Sequence, residues 1–343
     1  MVGASPPAAA LPKLPGHAGG IPLAWRAPEP SDVGAWRRLL AAVEAADDPG
    51  EVMTETDLAD EFATAWHRPE TDARFAFAPD GTCVAFGWAR CRPQHERTHR
   101  IYLWGEVHPD WRGCGIGASL LAWLLARGGQ AHAELDDDQD GLLTVNVDPR
   151  QPDRERLARR AGLQPVRSFL EMRRDLTIAV PVRAVPDGLA LIPWEPEWDE
   201  AARAAHNAAF ADHWGSAPMT AQMWQEDGIG ERGVRRGLSR LVVDGEAVAG
   251  YLVAAVYPQD WPALGWTEAW VKTLGVPRPW RRRGVGAALL AAALEAFAAE
   301  GFARAALGVD SASETGAVGL YEGLGFVADR RTDTWGIALA PVP

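Results

Sequence analysis

The chain has 343 residues, 47% hydrophobic and 23% charged, the balance of a soluble globular protein with room for two domains. Its formal charge of −12 excludes the basic face that a nucleic-acid binder needs, and suits either a cationic amine substrate or plain solubility. Three cysteines, Cys83, Cys91 and Cys114, are odd in number and lack metal-ligand spacing, so neither a disulfide frame nor a metal centre is expected and the setting reads as cytoplasmic.

In chain order, residues 1–20 are rich in Ala, Pro and Gly and lack the basic start and unbroken apolar core of a signal peptide, so disorder is expected there. A first domain is expected over 21–175. It has a strand at 23–26, a helix at 33–45, and strands at 74–78, 83–90 and 102–107. A helix at 116–127, a strand at 142–147, a helix at 154–161 and a strand running to Met172 complete it. Residues 176–188, with Pro181 and Pro186, read as a linker. The same order repeats over 189–343. Here the strands are at 189–192, 241–243, 247–256, 268–276, 305–309 and 326–337, with helices at 198–210, 285–300 and 315–324. The class is a duplicated mixed α/β (α+β) fold, each copy a largely antiparallel sheet flanked by helices. The most apolar helix, around 287–299, is too short to span a bilayer and carries Glu295, so no membrane partner is expected. Most of the sixteen tryptophans are assigned to cores and an apolar cleft, since no basic stripe surrounds them.

One signature, V-x-x-x-W-R-x-x-G-x-G-A-x-L-L, occurs at 107–121 and again at 276–290. In each copy it joins a long strand to a helix. Glycines there let the backbone approach a ligand closely, and first-turn N–H groups point outward to receive a pyrophosphate. The first cradle is Val107, Arg112, Gly113, Cys114, Gly115, Ile116 and Gly117. The second is Val276, Arg281, Arg282, Arg283, Gly284, Val285, Gly286 and Ala287. Arginine at a helix start is opposed by the helix dipole, so Arg112 and Arg281 are read as partners of an anion. No Gly-Lys-Ser/Thr follows, which excludes a Walker loop, and Leu120 and Leu289 stand where a dinucleotide fingerprint needs glycine or alanine. The strand before each cradle reads as the end of a meander rather than the start of a βαβ unit. Cys114 reads as a small filler.

R-x-x-G-x-G/A between strand and helix resembles the acyl-CoA motif of the GNAT acetyltransferase superfamily. In the second half Leu320-Tyr321 through Gly325-Phe326 resembles its closing L-Y-x-x-x-G-F motif. Two such units in one chain look like the tandem actinobacterial members, the mycothiol synthase type among them. The resemblance implies acetyl-CoA, or another acyl-CoA, as cosubstrate. It implies Tyr321 as the acid for the leaving thiolate, the alternative being a tyrosine that only packs on the sheet. It implies pantetheine contacts at Leu274 and Val276. Ser313 stands where the family often has Asn near its last helix.

Glu268 is a candidate base, or simply a solvated strand-end carboxylate; alternation places it on one face with Trp270, Lys272, Leu274 and Val276. Asp212, His213 and Trp214 follow the first helix of the second half, where the family places substrate loops. Aligned from Gly162-Leu163, the first half has Ala158 in place of Tyr321, so catalysis is expected in the second half. The expected reaction is acetyl transfer to a small-molecule primary amine by direct attack in a ternary complex, by a monomer or homodimer. The rivals are an acyl-CoA sensor without catalysis, and a longer acyl donor used on an antibiotic-type amine.

Overall fold

The computed structural model describes residues 10–92, 98–135, 138–211, 213–214, 216–313 and 316–341. They form two compact units, one of residues up to 166 together with 332 onward, the other of residues 167–331.

The first unit opens with a short antiparallel hairpin, β1 (His17–Ala18) and β2 (Ile21–Pro22). Residues 10–20 are therefore folded, contrary to the disorder read from their composition. Leu11 and Leu14 pack on the core, and Trp25 Nε1–H donates to Pro15 O at 2.9 Å. The rest of the segment expected to be disordered lies outside the described residues. There follow β3 (Ala24–Arg26), α1 (Val33–Asp47), α2 (Glu55–Ala63), α3 (Pro69–Asp72), β4 (Ala73–Phe77), β5 (Cys83–Cys91) and β6 (Thr98–Val107). Then come α4 (Ile116–Ala133), β7 (Asp140–Val147) and α5 (Pro152–Arg160). Helix α2 lacks a long apolar stripe and was not expected; a capping box starts it, Thr54 Oγ1 accepting from Asp57 N–H at 3.1 Å and Asp57 Oδ2 from Thr54 N–H at 2.8 Å.

The second unit contains most of β8 (Gln164–Asp175), then β9 (Ala190–Pro193), α6 (Asp199–Phe210), α7 (Ala221–Met223), β10 (Arg240–Asp244) and β11 (Ala247–Ala255). It continues through α8 (Trp261–Leu264), β12 (Glu268–Gly275), α9 (Val285–Ala299), β13 (Arg304–Asp310), α10 (Ala317–Glu322) and the start of β14 (Val327–Leu339). Strand β11 is almost wholly buried. Ala249, Leu252 and Ala254 join the apolar cluster under α9, while Val248, Tyr251 and Val253 join one with Ala202 and Ala205 of α6. A strand covered on both faces needs a continuous apolar run, which Ala-Val-Ala-Gly-Tyr-Leu-Val-Ala-Ala supplies.

Strand order in the first unit is β3-β4-β5-β6-β7-β14, and in the second β9-β10-β11-β12-β13-β8. All pairings are antiparallel except β6 with β7 and β12 with β13. Each cradle strand thus both ends a meander and opens a βαβ unit, a correction to the meander-only expectation. The compact units also cut the chain differently from the sequence halves 21–175 and 189–343. Strand β8, which ends the first half, pairs with β13 from Phe169 to Asp175. Strand β14, which ends the second half, pairs with β7 from Asp333 to Leu339. Repetition of element order reveals the duplication but carries no information about which sheet edge a last strand finds.

Trp335 of β14 is buried in the core of the first unit. Replacing it with alanine should cost about 3–5 kcal/mol, with hydrogen-exchange protection lost in residues 10–166. Loss confined to 189–331 would contradict this assignment.

Candidate functional site

Both cradles have the same backbone form. Gly115 and Gly284 cap α4 and α9 at φ 84° and 92°, left-handed values that a side chain resists. Two residues earlier, Gly113 has φ 77°, but its counterpart Arg282 holds φ 59°, a strained value for a bulky side chain. A tight turn alone does not require an arginine there. Arg278, Arg282 and Arg283 are exposed around the start of α9, where unpaired N–H groups face outward. Cys114 is exposed rather than filling space.

The signature arginines also have partners within the protein. Arg281 Nε–H donates to Val276 O at 3.0 Å, and Nη2–H to Ala209 O near the end of α6 at 2.7 Å. Arg112 repeats this, with Nε–H on Val107 O at 3.1 Å and both Nη groups on Asp47 at the end of α1, at 2.7 and 2.8 Å. Each guanidinium fastens its cradle to the first helix of its unit. Besides backbone N–H groups, the turn of the second unit exposes the side chains of Arg282 and Arg283.

Below the second cradle the sheet opens. The parallel pairing of β12 with β13 runs from Glu268–Arg304 to Val271–Leu307 and then stops. The following residues Thr273, Leu274 and Gly275 pair with β11 only. Lys272 is an extra residue against β11, a β-bulge at the point of parting. Among the described residues the far edge of this stretch is left with amide groups available to an extended chain such as pantetheine. The bulge also overturns the expected alternation. Leu274 and Val276 share the apolar cluster with Ala269 and Val271, while Glu268 and Trp270 point to the other face.

The first unit parts in the same place, after Tyr102–Thr144, but without a bulge between β5 and β6. There Arg154 of α5 crosses to Glu106 of β6, with Nη1–H on Oε1 at 2.8 Å and Nη2 against Oε2, and reaches Asp47 at 3.2 Å. Burial pushes the Glu106 carboxyl up, against the pull of Arg154. Counting from Val107 and Val276, and from Leu157 and Leu320, the corresponding residues of the second unit are Gly275 and Ala317. Neither carries a charge into the opening.

Leu157 and Leu320 are matched by contact as well as by count. A Cβ on Gly117 would lie 3.6 Å from Leu157 Cδ2, and one on Gly286 would lie 3.4 Å from Leu320 Cδ2. The next residues are Ala158 and Tyr321. Tyr321 is 8% exposed, with its ring 6.1 Å from Phe326. Its hydroxyl makes no hydrogen bond among the described residues. Burial pushes its pKa up to about 12, so the group stays a proton-bearing donor across the physiological range.

With this geometry in view, comparison with known proteins is decisive. The acetyltransferase (GNAT) family profile matches residues 39–142 and 199–326. The chain belongs to the GNAT acetyltransferase family. Among its relatives is a mycothiol acetyltransferase of Thermobispora bispora, 33% identical over 264 residues, 74% of this chain and 80% of that protein. Another, from Pseudarthrobacter chlorophenolicus, is 30% identical over 308 residues, 84% and 87% of the two chains. A GCN5-related N-acetyltransferase of Sphaerobacter thermophilus superposes with TM-score 0.73 at 26% identity, covering 94% of this chain and 97% of its own. A tandem GNAT protein from the clavulanic acid biosynthesis pathway shares the fold with TM-score 0.65 at 21% identity, covering 94% and 100%. This GNAT protein is an N-acetyltransferase that uses an acyl-CoA.

Glu268 is neither solvated nor free. It is 2% exposed. Arg173 Nε–H and Nη2–H reach its two oxygens at 2.9 and 3.3 Å, and the indole N–H groups of Trp266 and Trp270 donate at 3.0 and 2.9 Å. A carboxylate with both oxygens taken by a cation and two indoles is a poor match for the expected free base. Arg173, which the sequence did not flag, lies on β8 and so comes from the opposite side of the linker. Ser313 N–H donates to Asp310 O at 3.1 Å, turning the chain after β13. His213 packs its ring 5.3 Å from Phe210, and Trp214 stands 6.2 Å from Phe169. Asp212 lies outside the described residues. Also unflagged, His206 Nδ1 lies 2.6 Å from the Tyr251 hydroxyl; burial, with His213 nearby, lowers its pKa to about 4, so it is a neutral core histidine. Among the described residues no three His, Cys, Asp or Glu side chains gather as for a metal, and no helix is long and apolar enough to cross a membrane.

Removing one partner of a buried ion pair strands the other's charge. Arg173→Met should therefore cost about 3–5 kcal/mol in urea unfolding. The double variant Arg173→Met with Glu268→Leu should recover the part of that loss due to Glu268, while Glu171 and Asp329 still lack their cation. A single-variant cost near zero would show the pair to be unimportant.

Proposed function

We propose that this protein transfers acetyl from acetyl-CoA to a small-molecule primary amine within a ternary complex, and that the reaction takes place in the second unit. The observation that carries this reading is the open parting of β12 from β13 below an arginine-rich cradle, with the hydroxyl of Tyr321 available. The N–H groups at the start of α9, with Arg282 and Arg283, take the pyrophosphate. The free edge at 273–275 takes the pantetheine amides, with Leu274 and Val276 beside it. The amine attacks the thioester carbon, the C–N bond forms as C–S breaks, and the electron pair leaves on sulfur. Tyr321 hydrogen-bonds that sulfur and delivers its proton. Glu268 serves in this reading as the anchor of Arg173 and of the indoles of Trp266 and Trp270.

The first unit keeps the backbone of a cradle, Gly113 to Gly117, but Ala158 offers no proton and Arg154 spans the path of pantetheine. The reading therefore assigns it a structural role. The curated relatives are named mycothiol acetyltransferases, so amines of the mycothiol type head the list of acceptors to test.

Thiol release from acetyl-CoA with a panel of amines tests the activity itself; release no faster than hydrolysis with every amine would sink it. Tyr321→Phe should lower kcat by about 10²-fold or more while acetyl-CoA still binds. Because Tyr321 titrates near pH 12, any basic limb of the wild-type profile below about pH 11 should persist in the variant. Calorimetric titration should give one acetyl-CoA per chain, and two equivalent sites would refute the division of labour.

A further inference from the structure

The proposed reaction needs a group that takes a proton from the amine, and Glu268 has no free oxygen for it. Another carboxylate lies on the face of the second sheet away from α9, at the level where β12 and β13 part. Along β8 the side chains alternate. Leu170 and Met172 enter the cluster under α9, and Arg174 Nε–H donates to Leu324 O at the end of α10. Phe169, Glu171 and Arg173 point to the opposite face. Register then fixes the height of each. Glu171 lies directly opposite Gly308, the first residue of β13 beyond its last pair with β12, whereas Glu268 pairs with Arg304, four residues back, about 13 Å along a strand.

Gly308 leaves space at this point among the described residues. It lies between buried Leu307 and Val309 yet is itself exposed, and a Cβ built on it would meet none of the described residues within 4 Å. A glycine inside a strand commonly marks a place where a ligand approaches the backbone. Beside this space stand Phe169 and, from the segment after α6, Trp214, over which Arg167 lies at 5.7 Å. Taking the bulge residue Lys272 as an insertion, the matching pair in the first unit is Asn146 and Thr334. There Thr334 Oγ1–H donates to Asn146 Oδ1 at 2.9 Å, and the position is filled by side chains.

We propose that Glu171 is the general base for acyl transfer, its carboxylate taking a proton from the acceptor's ammonium in the opening beside Gly308. This rests on the function proposed above. One proton passes from R–NH3⁺ to Glu171. The neutral amine attacks, C–S breaks as C–N forms, and the second amine proton ends on the sulfur by way of Tyr321. Glu171 returns its proton to water, so the net products are amide, thiol and one proton.

The environment suits the task. Glu171 is 23% exposed on its side chain, with Oε1 buried against Arg173; the proposal assigns the proton to Oε2. The charged groups facing it are Arg173 on its own strand, Glu268 on β12, and Arg330 on β14, with Asp329 on the far side of Arg173. Arg173 contacts Glu171, Glu268 and Asp329 together, so one guanidinium is divided among three carboxylates. Burial pushes the Glu171 carboxyl up, against Arg173 and Arg330 and with Glu268 adding to the rise. A carboxyl raised in this way binds a proton more readily than an exposed one and is the more effective base.

The test compares Glu171→Gln and Glu171→Asp with wild type, using acetyl-CoA and the best acceptor amine. Glu171→Gln should lose about 10²-fold or more in kcat/KM for the amine near neutral pH, with the KM for acetyl-CoA within about 2-fold. The loss should shrink as pH approaches the amine's own pKa, where the amine arrives neutral. Glu171→Asp should be impaired but keep the acidic limb of the profile, and it alone decides the matter if Glu171→Gln does not fold. Wild-type rates in either variant, or a Glu171→Gln defect that does not change with pH, would overturn the assignment while leaving the acetyltransferase reading in place. A wild-type protein that acylates no amine would overturn both.

Discussion

The site depends on one break in a hydrogen-bond ladder, the parting of β12 from β13 after Val271 and Leu307. A strand edge inside a sheet is costly to leave unpaired, because its N–H and C=O groups have left bulk water. Such an edge persists when the neighbouring elements keep the two strands apart and a ligand can supply the missing partners. At the break Lys272 adds one residue against β11, a bulge that bends the strand there and has no counterpart in the first unit. Gly284 then caps α9 in a left-handed conformation, and the first-turn N–H groups that follow have no partner within the helix.

An opening is useful only if it starts abruptly, and the buried pair of Arg173 with Glu268 provides the closed end. Charges placed this deep are not net stabilisers in general, since their desolvation roughly offsets their attraction. Their effect is geometric. Arg173 is tied to β12 through Glu268 and lies on β8, which is ladder-paired with β13. A single guanidinium therefore fixes the spacing across three strands just before two of them separate. Since β8 precedes the linker in sequence, residues 189–343 alone lack this clamp.

Much of this was legible in the sequence because it is local. The glycines, the strand-to-helix order and the L-Y-x-x-x-G-F ending of the second half are contiguous patterns, and the recurrence of the glycine signature half a chain apart pointed to the family. Long-range pairing was not legible. Nothing in residues 164–175 states that Arg173 meets Glu268, 95 positions away, because a strand's pattern encodes its faces and not its neighbours. The bulge at Lys272 was hidden for the same reason: it is a mismatch between two strands, invisible in either one. Arg281 and Arg112 show the same limit. Their position suggested an anion and gave no sign of the carbonyl and the carboxylate at the ends of the first helices that they also bond.

The duplicated signature therefore records the backbone of the ancestral unit more faithfully than its chemistry. Both cradles keep the left-handed glycine, the helix start and the arginine fastened to the preceding strand. They differ at side chains that the signature does not contain. Gly275 and Ala317 leave the opening clear, whereas Glu106 and Arg154 join across it. Tyr321 offers a proton-bearing hydroxyl where Ala158 offers a methyl group. All three differences act in one direction, since an ion pair across the opening excludes an uncharged pantetheine arm and a methyl group cannot assist a leaving thiolate. Under the proposed function, access and chemistry are therefore missing together from one copy and present together in the other. In the proposed division of labour the first unit keeps its cradle as a turn of the fold, while Arg154 and Glu106 pair across the opening beside it.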